Sequence, residues 1–185
     1  MAALLCFGAA EAKTAQDLSA QLVRLHVIAA SDSDQDQAEK LQVRDAVLRQ
    51  LENLRAEDGH AARAWIEAQL PALAAAAQAA LPEPKPVELR LCREHYPTRN
   101  YATFALPAGE YCSLQVRIGQ AEGRNWWCVV YPALCRSAEG ICWEEAAETA
   151  GFSDGQLRLI RVEPGRVHYR LRIAEWLDAL RRRIS

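Results

Sequence analysis

Much of the residue patterning that marks an enzyme is missing from this chain. There is no Gly-x-Ser-x-Gly, no His-Glu-x-x-His, no Gly-x-Gly-x-x-Gly and no phosphate-binding P-loop. No two carboxylates can be assigned to acid and base work. The six cysteines never fall at Cys-x-x-Cys spacing, so zinc binding and thioredoxin-like redox chemistry lack their ligands. Basic residues do not dominate either. With 22 Lys and Arg against 24 Asp and Glu the net charge is −2, without the basic face of a nucleic-acid binder. The apolar run Ala2 to Ala10 is too short to span a bilayer as a helix. These absences leave no metal site, no cofactor and no small-molecule substrate to expect. What is present is ordinary: 185 residues, half hydrophobic and a quarter charged, enough for one domain with a real core over residues 20–185.

Residues 1–12 read as a signal peptide, because Ala10-Glu11-Ala12 has the small-x-small pattern of a cleavage site. No basic residue precedes the apolar run, which points to a start inside a longer signal. The competing reading is an ordinary N-terminal helix packed on the body. Export puts the cysteines in an oxidising compartment. Loss of Cys6 leaves Cys92, Cys112, Cys128, Cys135 and Cys142, an odd count in which at least one thiol stays free.

The densest stretch is Arg124-Asn125-Trp126-Trp127-Cys128-Val129-Val130-Tyr131-Pro132-Ala133-Leu134-Cys135. It predicts a strand from Trp126 to Tyr131, ended by Pro132. Alternation sends Trp126, Cys128 and Val130 to one face and Trp127, Val129 and Tyr131 to the other. Neither set is polar, so the strand is either the covered middle of a sheet or keeps one face for a partner. Pro132 can turn the chain back and bring Cys128 to Cys135, a disulfide worth about 2.5 kcal/mol on the chain-entropy model. Two buried free thiols are the alternative.

Upstream, residues 13–20 read as a polar leader. Leu22 to Ala30 alternates as a half-buried strand, with Arg24 and His26 on its polar face. His26 is expected as a solvated or hydrogen-bonded strand histidine, with no visible partner for a catalytic base. Asp34 with Gln37 has the form of a capping box for a helix over Asp36–Arg55, striped by Val43, Ala46, Val47, Leu51 and Leu54. Asp32, Asp34 and Asp36 have calcium-loop spacing, but Gln37 and Val43 stand where glycine and glutamate are needed. Arg44 flanks the stripe, where it either pairs with Asp32 or Asp45 or joins a binding surface.

A second helical stretch covers 57–81, with Pro71 kinking it or opening a new helix. After the connector of Pro82, Pro84 and Pro86, strands are expected at Val87–Leu91, Asn100–Leu106 and 111–118, the last two as a hairpin. Tyr96-Pro97-Thr98, with His95, reads as a turn. Residues 136–156 suggest a short exposed helix around Glu144, Glu145 and Glu148. A hairpin of Leu157–Val162 with Val167–Ile173 and a helix to Arg183 complete the chain. The fold class is α+β: an N-terminal strand and helices, a mainly antiparallel sheet, and a C-terminal helix.

Three blocks together resemble the stage II sporulation protein R family. They are Val27-Ile28-Ala29-Ala30-Ser31-Asp32-Ser33 followed by Lys40-Leu41-Gln42-Val43-Arg44-Asp45-Ala46-Val47; Tyr96-Pro97-Thr98-Arg99-Asn100-Tyr101 running on to Pro107-Ala108-Gly109-Glu110-Tyr111; and the Asn-Trp-Trp-Cys block through Cys135. The resemblance covers residues 20–137, with a weaker echo at Val167 to Leu177. It implies an exported signal of endospore formation, made in the forespore and secreted across its membrane into the space between the two cells. There it would activate a membrane-embedded aspartic protease of the mother cell, stage II sporulation protein GA, which removes the pro-sequence of an early mother-cell sigma factor. On this reading the protein is no enzyme and binds no nucleic acid. Asn125, Trp126, Trp127 and Arg44 are the candidate partner-binding residues, since tryptophan and arginine dominate many interfaces. The rival class is an exported cysteine hydrolase using Cys128 or Cys135 with His26, His95 or His168 as base.

Overall fold

The structure, a computed structural model, describes residues 2–101, 104–134 and 143–161. In chain order these form α1 (Ala2–Gln21), β1 (Val23–Ile28), α2 (Asp34–Leu51), α3 (Gly59–Ala79), β2 (Val87–Tyr96), β3 (Arg99–Asn100), β4 (Ala105–Leu106), β5 (Gly109–Ile118), β6 (Asn125–Tyr131), α4 (Trp143–Thr149) and α5 (Asp154–Ile160). The expected α+β fold is the fold observed. Its main sheet has the order β2-β5-β1-β6. β2–β5 and β1–β6 are antiparallel and β1–β5 is parallel.

Alternation along the strands builds two cores. Val23, Leu25 and Val27 of β1, Leu114, Val116 and Ile118 of β5, and Cys128 and Val130 of β6 bury one face of the sheet. Against them lie Val43, Val47 and Leu51 of α2, and Ala62, Ile66, Leu73 and Ala77 of α3. The helical spacing of these residues turns one stripe of each helix to the sheet. Ser33 caps α2 by accepting from the Asp36 amide, and Asp58 caps α3 by accepting from Ala61. Pro71 lies inside α3, which runs through it.

The other face carries a second core. Tyr111 and Val129 pack there with Tyr96, Leu18 of α1, Phe104 and Leu106 of the small β3–β4 hairpin, Trp143 and Ala147 of α4, and Leu159 and Ile160 of α5. This layer corrects several expectations. Residues 13–20 are the last turns of α1, not a leader, and Leu18 is fully buried. The β1 face with Arg24 and His26 is covered, so the strand is buried along its whole length. Asn100–Leu106 is not one strand: β3 and β4 pair with each other, and β5 pairs with β2 and β1 instead. β2 runs on through His95 to Tyr96, where a turn was expected. Leu157 to Ile160 lies in a helix, because Ser153 and Gln156 form a reciprocal capping box ahead of it. At α2 the cap is Ser33 rather than Asp34, and Gln37 donates to the Ser31 carbonyl instead of closing a box. The strand at 167–173 and the helix to 183 fall outside the described residues.

Candidate functional site

The start of β6 is held by a loop folded onto the end of β1. The amides of Glu122 and Gly123 donate to the carbonyls of Ala30 and Ala29 at 3.2 and 3.0 Å. The Arg124 amide donates to Asp32 Oδ1 at 2.7 Å, and the largely buried Lys40 ammonium donates to the Arg124 carbonyl at 3.1 Å. A Cβ at Gly123 would run into the Ser31 carbonyl, so this close approach needs glycine. Asp32 is therefore committed to Arg124, and Arg44 pairs with Asp45 at 2.7 Å.

From this anchor β6 changes character along its length. Cys128 to Tyr131 are buried, Trp126 and Trp127 are half-buried, and Asn125 is exposed. The strand lies at the end of the sheet order, next to β1. Trp126 stands on the α2–α3 face, with the Arg44 guanidinium 5.0 Å from its ring centroid. Trp127 stands on the opposite face, with the Arg99 guanidinium 3.9 Å from its centroid and the His26 ring 5.5 Å away. Each indole thus carries one arginine in cation–π range. The two candidate structures for this strand merge: its second half is covered core, and its first half keeps indole surface in water.

Beneath Trp127 lies a polar network that only the strand order assembles. His26 on β1 meets Glu94 Oε1 of β2 through Nδ1 at 3.0 Å, and Asn125 Oδ1 of β6 through Nε2 at 3.0 Å. Gln115 of β5 donates to Glu94 Oε1 at 2.6 Å, and the Tyr96 hydroxyl donates to Glu94 Oε2 at 3.3 Å. Burial works against ionisation of Glu94, but hydrogen bonds from His26, Ser113 and Gln115 and the nearby imidazole outweigh it and hold the carboxyl at about 2. Deeper still, Arg24 is fully buried, its guanidinium 3.8 Å from the Tyr96 centroid and 4.9 Å from that of Tyr111. Its Nη2 donates to the Tyr101 hydroxyl at 3.0 Å, while Nε and Nη1 have no hydrogen-bond partner among the described residues. Burial pushes the hydroxyls of Tyr96 and Tyr111 well above the usual tyrosine range.

Among the described residues, Cys128 and His26, two that a cysteine hydrolase would need, are not brought together. Cys128 stands opposite Leu25 in the β1–β6 register, while Trp127 stands opposite His26. Sulfur and imidazole therefore project to opposite faces of the sheet. His95 pairs with Glu110 at 3.2 Å, and His168 lies outside the described residues. Cys92 and Cys112 are free thiols, both pushed up by burial and so held protonated. Cys128 is a bonded sulfur rather than a free thiol, while its expected partner Cys135 lies outside the described residues. Among the described residues no cluster of His, Cys, Asp and Glu could hold a metal ion, and no helix is long and apolar enough to cross a membrane.

Glu94, Gln115 and Arg99 were not singled out by the sequence. A signal existed: Arg24 and His26 interrupt an apolar strand, and Glu94 and Gln115 sit on the alternate positions of two more. What was missing is that β1, β2, β5 and β6 lie in one sheet with those positions on one face.

Comparison with known proteins agrees with the motifs. A family model described as stage II sporulation protein R matches residues 19–139. Stage II sporulation protein R of Bacillus subtilis (strain 168) is 34% identical over 120 residues, covering 62% of this chain and 54% of that protein. The match thus spans about half the length of that relative. No solved structure matches. The matched segment runs from the end of α1 past β6 and contains the whole four-stranded sheet, the His26–Glu94–Asn125 network and both adjacent tryptophans. The chain belongs to the stage II sporulation protein R family.

Proposed function

We propose that this protein is an exported intercellular signal of sporulation. It is secreted across the forespore membrane into the intermembrane space and activates a membrane-embedded aspartic protease of the stage II sporulation protein GA type. That protease then processes the pro-form of an early mother-cell sigma factor. The signal breaks no bond itself. It acts by binding the active arrangement of the protease more tightly than the inactive one, which is the only way a ligand can shift such an equilibrium.

The observation that carries this reading is the pair of half-buried indoles at the start of β6, each with an arginine over it. Large, preorganised aromatic surface with a guanidinium attached suits a hot spot of recognition. Trp126 and Arg44 form one flank of this surface along the β6 edge, and Asn125, Trp127 and Arg99 form the other. Cleavage of the signal near residue 12 leaves Leu18 to pack the mature domain, and a Cys128–Cys135 disulfide ties the end of β6.

The test is co-expression of the chain, the protease and its pro-sigma substrate in a host that does not sporulate, with processing read by gel. Trp127→Ala and Arg99→Ala are expected to lower processing steeply, with binding weakened about 30-fold for a hot-spot residue, an effect of about 2 kcal/mol. Circular dichroism of the same variants separates lost contact from lost fold. Full processing by folded variants lacking either indole would overturn the assignment.

A further inference from the structure

Two acceptors face one imidazole at this surface. His26 Nδ1 lies against the Glu94 carboxylate and Nε2 against Asn125 Oδ1, each at 3.0 Å. A carboxylate only accepts, so Nδ1 carries a proton in either charge state of the ring. The Asn125 side chain has a choice. Against a doubly protonated ring it must turn Oδ1 to Nε2–H. Against a neutral ring it must turn its NH2 to the Nε2 lone pair. The two ends of a carboxamide are nearly the same shape, so the 3.0 Å contact accommodates both. His26 is largely buried and Asn125 is exposed, the one anchored inside the sheet and the other at the rim.

We propose that His26 is a positioning residue that decides which end of the Asn125 amide is offered to the partner. With the ring doubly protonated, Asn125 offers its NH2, a donor. With the ring neutral, it offers its oxygen, an acceptor. A partner carbonyl or carboxylate at that spot is bound by the first state and rejected by the second. The difference is one hydrogen bond gained against one polar atom left unpaired, so preference for the matching state is expected on the order of tenfold or more. Trp127 follows the same group, since its indole packs on the His26 ring.

The groups that set the proton equilibrium can be named by element. Arg24 lies on the same face of β1, and Glu88, Arg90, Cys92, Glu94 and Tyr96 on the same face of β2. Arg117 is on the same face of β5, and Arg99 reaches in across Trp127 from the β3–β4 hairpin. Glu94 is the acid in direct contact with the ring, and Glu88 lies farther along the same face beside Arg117 at 3.9 Å.

The inference deepens the proposed recognition role, but its first test needs no partner. In the full-length protein labelled with 15N, the His26 ring nitrogens and the Asn125 side-chain amide are followed by NMR from pH 4 to 9. The expected result is one shared midpoint for both groups. Asn125→Asp, which places a second acceptor anion on Nε2–H, is expected to move the His26 midpoint upward. An Asn125 amide that stays still while His26 titrates overturns the proposal, and so does a ring with no transition in that range. The second test is the pH profile of binding to the purified protease in detergent. The wild-type profile is expected to share the NMR midpoint, and the profile of His26→Gln to be flat. A shared NMR midpoint with no binding at any pH refutes the recognition reading; binding whose profile is unchanged in His26→Gln refutes this one.

Discussion

Replacing Glu94 by glutamine and then lowering the pH tests the polar network directly. Glu94 is held at about 2 against an ordinary value of 4.5. At about 1.36 kcal/mol per pH unit, that gap sets a ceiling of about 3.4 kcal/mol. The side chain keeps 19% of its surface in solvent, so screening cuts the contribution to roughly 1.5–2 kcal/mol. The sign follows from the direction of the shift. A depressed carboxylate stabilises the fold in full above 4.5 and loses that contribution as the pH falls toward about 2. Urea unfolding is measured for the wild type and Glu94→Gln at pH 7, 4.5, 3 and 2. The variant is expected to be less stable by roughly 1.5–2 kcal/mol at pH 7, and the two chains to converge between pH 4.5 and 2. A deficit that stays constant with pH would mean that Glu94 acts by shape alone. No deficit at pH 7 would mean that the carboxylate is not held by its neighbours at all.

Three further outcomes follow from the geometry. Leu18→Ala empties a fully buried site in the second core and is expected to cost about 2–5 kcal/mol in denaturant unfolding, as for a core residue and not for a leader. Gly123→Ala forces a Cβ into the Ser31 carbonyl, so thermal unfolding should fall by several degrees. The same change should raise acrylamide quenching of the Trp126 and Trp127 indoles as the loop lets go of β6. Arg24→Met keeps length and apolar contact with Tyr96 and Tyr111 while removing two nitrogens that have no hydrogen-bond partner among the described residues, and it is expected to change stability by less than about 1.5 kcal/mol. Arg24→Ala at the same place should cost at least 3 kcal/mol.

The local parts of the fold were legible. The stripe of Val43, Ala46, Val47 and Leu51 placed α2, the alternation of Val87, Leu89 and Leu91 placed β2, and Trp126 to Tyr131 placed β6. Periodicity reports which faces of an element differ in polarity, and these faces do. It fails where both faces are covered for different reasons. Arg24 and His26 read as a wet face because nothing local shows that α1, α4, α5 and the β3–β4 hairpin close over it. Ala15, Leu18 and Leu22 had the spacing of a helix face, but the polar residues among them disguised it. The tryptophans and Arg44 were visible as a surface because their residue types are unusual. Glu94 and Gln115 were not, because carboxylates and amides on strands are common, and only the β2-β5-β1-β6 order makes these two neighbours of His26.

The place of β1 in that order bears on how the chain is made. Its partners lie from 89 residues downstream (Val23 to Cys112) to 108 residues downstream (Val23 to Tyr131). The first strand to be synthesised is thus among the last to be paired. Until β5 is complete at residue 118, the central strand has no sheet to join, and long-range closures of this kind are slow. A nascent chain in that state stays open and exposed to chaperones until its sheet can close.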